Sequence, residues 1–454
     1  MCRFRITDPA SKARRPGVTT QLNDGSLVHN RLKVLVVAAA VHPDKGSEPG
    51  LGWGWVRALS CDNDLWVITG EREGNREAIE ARFRKTPDLA ERLKFFYLSR
   101  PDGPSLERIW PPLYYRLYRQ WHQQAFRLAR RLEAEVGFDL AHQLNMQGYR
   151  EPGYLWKLDK PFVWGPVGGT ANVPLRFASV LGPKEFLYHL AKVTINNLQL
   201  RYHRRVGRAL GRADGFVTST SEARAAFLHV RSRDSTVIQE TGPDPELLAS
   251  RRPSRLQGDG PLRLVWNGIH VSRKALPILL RAIARLHSVS WHLDIIGEGP
   301  MTRHWKRLAE RLGVSAGCTW HGWLPKREAV AVVAEADLFT FPSLHEGNPT
   351  VVWEALACGV PVICLDHCGM TDVVTPNCGI KIPVTNVDEV VGQLAKAITD
   401  LAQDPSRRRR LAVGALSRAA EFSWEVRAQK MLDVYRHALL CWQTRKVQGN
   451  LRQP

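Results

Sequence analysis

Short apolar runs separated by longer amphipathic stretches recur along this chain, and that alternation limits its fold more than any other feature. The runs are LKVLVVAAAV (32–41), DLWVITG (64–70), LKFFYLS (93–99), FDLAHQLN (138–145), PFVWGPVGG (161–169) and DGFVTST (214–220). Gly, Pro, Asn or Asp opens each run or lies within two residues of at least one of its ends. Such runs read as strands buried on both faces, and the stretches between them as crossover helices. The pattern predicts an α/β fold with a parallel, doubly wound sheet. One crossover is a long helix over 113–136, where Leu117, Trp121, Ala125, Leu128 and Leu132 form an apolar stripe and arginines cover the rest. The segment 243–261 has prolines, arginines and glycines without periodicity. After it the alternation resumes in LRLVWNGI (262–269), WHLDIIG (291–297), CTWHG (318–322), DLFTFPS (337–343) and GVPVICL (359–365). A chain of 454 residues is too long for one core, so two domains are expected. The expected division is a disordered extension over 1–30, a first α/β domain over 31–245, a linker over 246–260, a second α/β domain over 261–422, and a last helix over 423–445 capped by Ser423.

The formal net charge is +20. That balance points to nucleic acid or an anionic membrane surface. No nucleic-acid-binding motif accompanies it, and the arginines lie on several helices in both halves, so nucleic acid is not the expected partner. Membrane docking and ordinary solvated helix faces remain the two readings of the charge. The basic aromatic segment 186–212, with Tyr188, His189, Arg201, Tyr202, Arg204, Arg205, Arg208 and Arg212, admits the same two. No apolar run of 18 or more residues is present to span a membrane. Among the 8 cysteines none has metal-ligand spacing; Cys364, Cys368 and Cys378 come nearest and match no zinc pattern. They read as small buried residues of a cytoplasmic protein.

The segment FPSLHEGNPTVVWE (341–354) concentrates the chemistry. Pro342 and Ser343 end a strand. Asn348 is placed to cap a helix with Pro349 at its first position. The helix start offers backbone N–H groups and the positive end of a dipole to an anion, at Gly347, Asn348, Thr350 and Val351. Glu346 precedes it and Glu354 lies two turns into it, both expected to face one cleft and to bind sugar hydroxyls. A second cationic position is Arg273–Lys274, which follows a strand and Gly268 and precedes a helix, at the sheet edge where open α/β sheets bind ligands.

With EALACGVPVI after it, this E-x7-E segment resembles the signature of the family 4 glycosyltransferases. WNGIHVSRKALPILLRAI (266–283), LDIIGEGP (293–300), CTWHGWLP (318–325) and EFSWEVRAQKMLDVYR (421–436) are similar to that family's other landmarks, in the same order. Weaker similarity lies in GSEPGLGWGW (46–55) and GYREPGYLWKLDKPFVWGPVGG (148–169), so the resemblance spans about residues 32 to 440. It implies the GT-B fold, two Rossmann-like domains facing across a cleft with the C-terminal helix returning to the first. Trp424 and Tyr435 would then pack across the domain junction.

The resemblance implies site roles residue by residue. Glu346 would contact the transferred sugar and Glu354 the ribose hydroxyls. Lys274 would bind the diphosphate, with Gly297 and Gly299 near ribose and phosphate and His321–Leu324 beside the base. The family's arginine after the glycine is Ile269 here, and Arg273 is expected to supply that charge instead. His142, at the end of a strand, matches a family histidine near the sugar and is expected to be catalytic with Glu346. Gln143, Asn145 and Arg150 follow it as contacts to acceptor or sugar. The loop with Gly46, Ser47 and Gly50 is expected over the phosphates and the acceptor, while Trp53 and Trp55 pack its helix.

The expected function is a retaining glycosyltransferase, a hexosyltransferase that moves sugar from a UDP- or GDP-sugar to a glycan or lipid-linked acceptor. The implied setting is bacterial surface polysaccharide synthesis, in the cytoplasm or on the inner face of the plasma membrane. No D-x-D motif is placed for a metal and no cofactor is expected. The rivals are a nucleotide-sugar epimerase of the same fold and a non-catalytic basic glycan- or nucleic-acid-binding protein.

Overall fold

The computed structural model describes residues 31–72, 74–99, 111–144, 148–250, 260–347 and 349–450. The expected extension over 1–30, most of the expected linker (251–259), Asn145 and Asn348 lie outside the described residues.

Two parallel sheets organise the chain. The first joins β1 (Leu32–Val37), β2 (Asn63–Glu71), β3 (Leu93–Ser99), β4 (Leu140–Gln143), β5 (Phe162–Val167), β6 (Gly215–Thr218) and β7 (Thr236–Val237), in the order β3-β2-β1-β4-β5-β6-β7. The second joins β8 (Leu262–Asn267), β9 (Trp291–Ile296), β10 (Cys318–Gly322), β11 (Leu338–Phe341), β12 (Val362–Leu365) and β13 (Gly379–Ile382), in the order β10-β9-β8-β11-β12-β13. Every strand pair is parallel, as the two-sided apolar runs require. The edge strands β7 and β13 are additions to the sequence reading. β7, only two residues long, is too short to show a period.

Strand order reverses between β1 and β4 in the first sheet and between β8 and β11 in the second. These are the switch points, and the loops that leave the carboxyl ends of these strands form the ligand crevices of such folds. The helices that matter for the crevice are α1 (Ser47–Leu59), α2 (Pro111–Val136), α3 (Pro183–Tyr202), α4 (Arg204–Arg212), α5 (Ser221–Arg231), α6 (Pro245–Ser250), α7 (Leu276–Ile283), α8 (Thr350–Ala357) and α9 (Trp424–Asn450).

The second sheet's core receives residues from well before it. Val173, Phe177, Val180 and Leu181 belong to that apolar cluster, and Leu247 and Leu248 of α6 pack against it. Position 246, where the linker was expected to begin, therefore lies inside a helix already docked on the second sheet.

Helix α9 returns to the first sheet, as the resemblance implied. Met431, Leu432, Val434, Tyr435 and Ala438 join the same cluster as Val34, Leu140, Val163 and Val217. Ser423 Oγ accepts from the Val426 amide and begins the helix. Trp424 meets Trp55 of α1 edge-on, with ring centroids 5.7 Å apart; such pairs add about 0.5–1.5 kcal/mol beyond area burial. Beside them sits Arg427, 1 % exposed, its guanidinium 3.8 Å from the Trp424 ring and donating to the Glu240 carbonyl at 2.9 Å. Among the described residues no helix is long and apolar enough to cross a membrane.

Candidate active site

A cavity of about 540 Å³ opens between the two sheets, within the range of small-molecule sites. From the first domain it takes Glu48, Leu51 and Trp55 of α1, which share one helix face, with Lys192 of α3 and Glu240 and Thr241 after β7. From the second it takes Arg273, His345, Glu346, Gly347 and Thr350.

The floor is built by the switch point. Arg273 and Lys274 leave β8, and Glu346 leaves β11, which pairs with β8. Adjacent strands thus deliver opposite charges to one place. Glu346 Oε1 lies 2.6 Å from Lys274 Nζ, 3.2 Å from Arg273 Nη1 and 2.9 Å from Ser343 Oγ. Lys274 is nearly enclosed, and its ammonium lies 4.9 Å from the Phe341 ring centroid. Burial pushes its pKa down, and Glu346 opposes that shift. Lys192 is also lowered, by burial first and then by Arg150 and Arg273. Glu48, Glu240 and Glu346 thus line a cavity bounded by Lys192, Arg273 and Lys274.

His345 adds a neutral wall. Its Nε2–H donates to the Ala171 carbonyl across the cleft at 3.0 Å, and burial, with Lys192 near, pushes its pKa down to about 4. Two further contacts cross the same gap. His367 donates to the Asn172 carbonyl at 3.0 Å, and the Ser221 amide donates to Asp372 at 2.7 Å. These bonds hold the two sheets together around the cavity.

The carboxyl-end loops of the second sheet pack against each other through glycine. Gly297 has φ +111, and a Cβ there would lie 2.1 Å from the Gly268 carbonyl oxygen. Gly299 is likewise pressed against His270. Gly268, Gly297 and Gly299 thus form a low rim. Beyond it Trp323 stands 72 % exposed, and His321 is fixed 2.7 Å from Asp294.

Several expected placements need correction. Helix α8 begins at Thr350, with Pro349 as its N-cap rather than its first residue, and among the described residues no side chain caps it. Thr350 lines the cavity and Val351 is half-buried behind it. Glu354 does not share the cavity with Glu346. It lies one turn beyond Thr350, about 6 Å further along the helix axis, and is buried near Lys326 and Asp244. Burial pushes its pKa up to about 7; Lys326 opposes the shift and Asp244 adds to it.

His142 is not a cleft residue. It is fully buried, with Nε2–H donating to the Gly165 carbonyl and Nδ1 accepting from the Tyr435 hydroxyl, each at 2.7 Å. Both ring nitrogens are used, and burial pushes its pKa down to about 4. Its role is to bind α9 to the first sheet. Arg150 is likewise committed to Gln199 and Asn196 of α3, and Gln143 is buried against backbone carbonyls. The expected glycine loop is mostly helix. Gly46 is the N-cap of α1, and Ser47 and Gly50 fall within it. Gly50 is small because the Lys45 carbonyl lies where a Cβ would go, at 2.0 Å. Trp53 and Trp55 do pack the helix, and the Trp55 indole donates to the Glu240 carbonyl at 3.1 Å.

Lys192, His345, Glu240 and Thr241 were missing from the sequence reading. The last two follow β7, the strand too short to be seen. A metal could be held, among the described residues, by Glu222, His367 and Cys368, whose ligand atoms lie within 4.8 Å of one another. The His367 Nε2 of this group is already bonded to the Asn172 carbonyl, and the neighbouring Gly369 amide donates to the Glu346 carbonyl at 2.9 Å.

Comparison with known proteins places this geometry. Residues 256–416 match the family model for glycosyl transferases group 1. The chain is 31% identical over 252 residues to a D-inositol 3-phosphate glycosyltransferase of Stackebrandtia nassauensis, covering 51% of this chain and 56% of that one. It is 32% identical over 183 residues to a GDP-mannose-dependent monoacylated alpha-(1-6)-phosphatidylinositol monomannoside mannosyltransferase of Corynebacterium glutamicum, covering 38% and 46%. The chain thus spans about half the length of these relatives. The solved structure of Anabaena HepE in complex with UDP superposes with a TM-score of 0.57 at 16% identity, over 89% of this chain and 100% of that one. With two parallel Rossmann-like sheets facing across a cleft, the fold is GT-B.

Proposed function

We propose that this chain, whose residues 256–416 belong to the glycosyl transferases group 1 family, transfers a sugar from a nucleotide-diphosphate donor to a glycan or lipid-linked acceptor. The observation that carries this reading is the Lys274–Glu346–Arg273 cluster at the floor of the interdomain cavity. Lys274 and Arg273 are charged groups at diphosphate reach of the start of α8, where the Thr350 and Val351 amides precede the first bonded one, that of Val352 to the Pro349 carbonyl. A diphosphate arriving there competes with Glu346 for Lys274. The freed carboxylate then accepts from sugar hydroxyls. Arg273 stands in for the absent arginine at Ile269. Gly268, Gly297 and Gly299 let the nucleotide lie close to backbone.

Retention is part of the proposal. In the donor complex Glu346 is engaged by sugar hydroxyls, so no glycosyl–enzyme intermediate on it is invoked. In the front-face alternative the sugar C1–O(phosphate) bond breaks as the C1–O(acceptor) bond forms. The acceptor's proton passes to the departing phosphate oxygen, which Lys274, Arg273 and the helix end stabilise. The protein is read as cytoplasmic, with the acceptor met at the membrane's inner face, in cell-surface glycan assembly. The donor could carry uridine or guanosine.

The test is release of nucleotide diphosphate from a panel of UDP-, GDP- and ADP-sugars, with Glu346→Ala as control and EDTA as a second arm. Release from one donor, lost in the variant and indifferent to EDTA, supports the reading. Conversion of the donor sugar to its epimer without release would replace it.

A further inference from the structure

Helix α3 has a face that the fold leaves uncovered. Leu187, Tyr188, Ile195, Leu198 and Tyr202 are each between 52 % and 65 % exposed, and Leu190 is 39 % exposed. At 100° per residue, the first five fall within about 100° of arc. A solvated helix turns charged residues outward there; this one turns out leucine, isoleucine and tyrosine. The other side of the helix is held by the protein. Asn196 is buried and bonded to Tyr149 and Thr170, and Leu200 is buried in the first domain's core.

Positive charge continues the apolar face. Arg201 is exposed next to Tyr202, and on α4 Arg204, Arg208 and Arg212 repeat every fourth residue and are all exposed. Glu185 is the sole acidic residue over 183–212. An apolar strip edged by cations matches the boundary between acyl chains and anionic headgroups. A second copy of the chain fits less well, because a two-fold contact sets each arginine row near its own copy.

We propose that α3 and the arginines of α4 dock this protein on an anionic lipid bilayer. Lys192, on a different side of the same helix, reaches the cavity beside Arg273 and Glu346. Docking through α3 therefore brings the cavity to the bilayer. The further point, that an acceptor enters without leaving the membrane, rests on the transferase reading; the docking itself does not.

The experiment is vesicle co-sedimentation of the full chain, on phosphatidylcholine alone and on phosphatidylcholine mixed with phosphatidylglycerol. Two variants accompany the wild type, Leu187→Gln/Leu198→Gln and Arg204→Glu/Arg208→Glu. All four positions are exposed, and circular dichroism checks that both variants fold. The proposal expects binding to the mixed vesicles only, weakened at least about tenfold in each variant, with calorimetric affinity for nucleotide-diphosphate sugar unchanged. Wild-type indifference to anionic vesicles overturns it. So does equal binding by the variants, or a wild-type dimer in solution that Leu187→Gln/Leu198→Gln abolishes. Vesicle binding as expected, with no donor bound at all, upholds the docking surface and fails the transferase reading instead.

Discussion

Replacing Glu354 by glutamine should stabilise the free protein, increasingly so as pH rises. Glu354 is 9 % exposed, and burial raises its pKa from 4.5 to about 7. An unfolded glutamate loses its proton near pH 4.5, while the folded one keeps it until near pH 7. Below pH 4.5 both states are protonated and the carboxyl costs nothing. Between the two values folding must retain a proton that the unfolded chain has released, so stability falls as pH rises. The fall levels off above pH 7. About two and a half pH units at about 1.4 kcal/mol each give about 3.5 kcal/mol. Glutamine has nearly the same shape and no titration. The difference between variant and wild type should grow by about that amount from pH 4.5 to pH 8. Urea unfolding of both proteins at matched pH values measures it, and other titrating groups cancel in the difference. Parallel pH profiles, or a wild type that gains on the variant toward pH 8, would refute the reasoning.

Other outcomes follow from the same structure. Lys274→Ala should lower kcat/KM for donor turnover about a hundredfold or more, because a preorganised cation facing the leaving phosphate is lost; steady-state kinetics checks it. Acid should weaken the fold between pH 6.5 and pH 4. His142 and His345 are held neutral with pKa values near 4, so their contribution is complete above 6.5 and disappears as the folded rings protonate. His142→Gln should flatten part of that slope in an acid unfolding series. Gly297→Ala should cost about 3 kcal/mol or more, since φ +111 is closed to alanine and its Cβ meets the Gly268 carbonyl; a denaturant midpoint reads it. Arg427→Met should loosen α9 from the first sheet, raising amide exchange around Trp424 and Tyr435.

The fold was largely legible because a parallel sheet writes itself as continuous apolar runs. Six runs in the first half and five in the second match observed strands. β7 escaped because a strand of two residues has no period to detect. The floor of the cavity was legible for a different reason. Lys274 and Glu346 each follow a strand end, and the order of motifs around them fixed which strands are neighbours. Burial was the part that sequence did not give. His142 also ends a strand, but nothing local shows that its ring meets a tyrosine 293 residues away. Glu354 lies one turn beyond Thr350 and is buried outside the cavity, which spacing alone could not resolve. Lys192 lay in a segment weighed only as membrane-facing or solvated, whereas α3 presents different sides to the cavity and to the surface.

The central claim is that the Lys274–Glu346 cluster is a nucleotide-diphosphate site, and calorimetric titration with UDP, GDP and ADP tests it most directly. The account predicts that one of them binds the wild type, that Lys274→Ala weakens it at least about tenfold, and that Leu187→Gln/Leu198→Gln leaves it unchanged. Absence of binding by all three, or binding indifferent to Lys274→Ala, would contradict it.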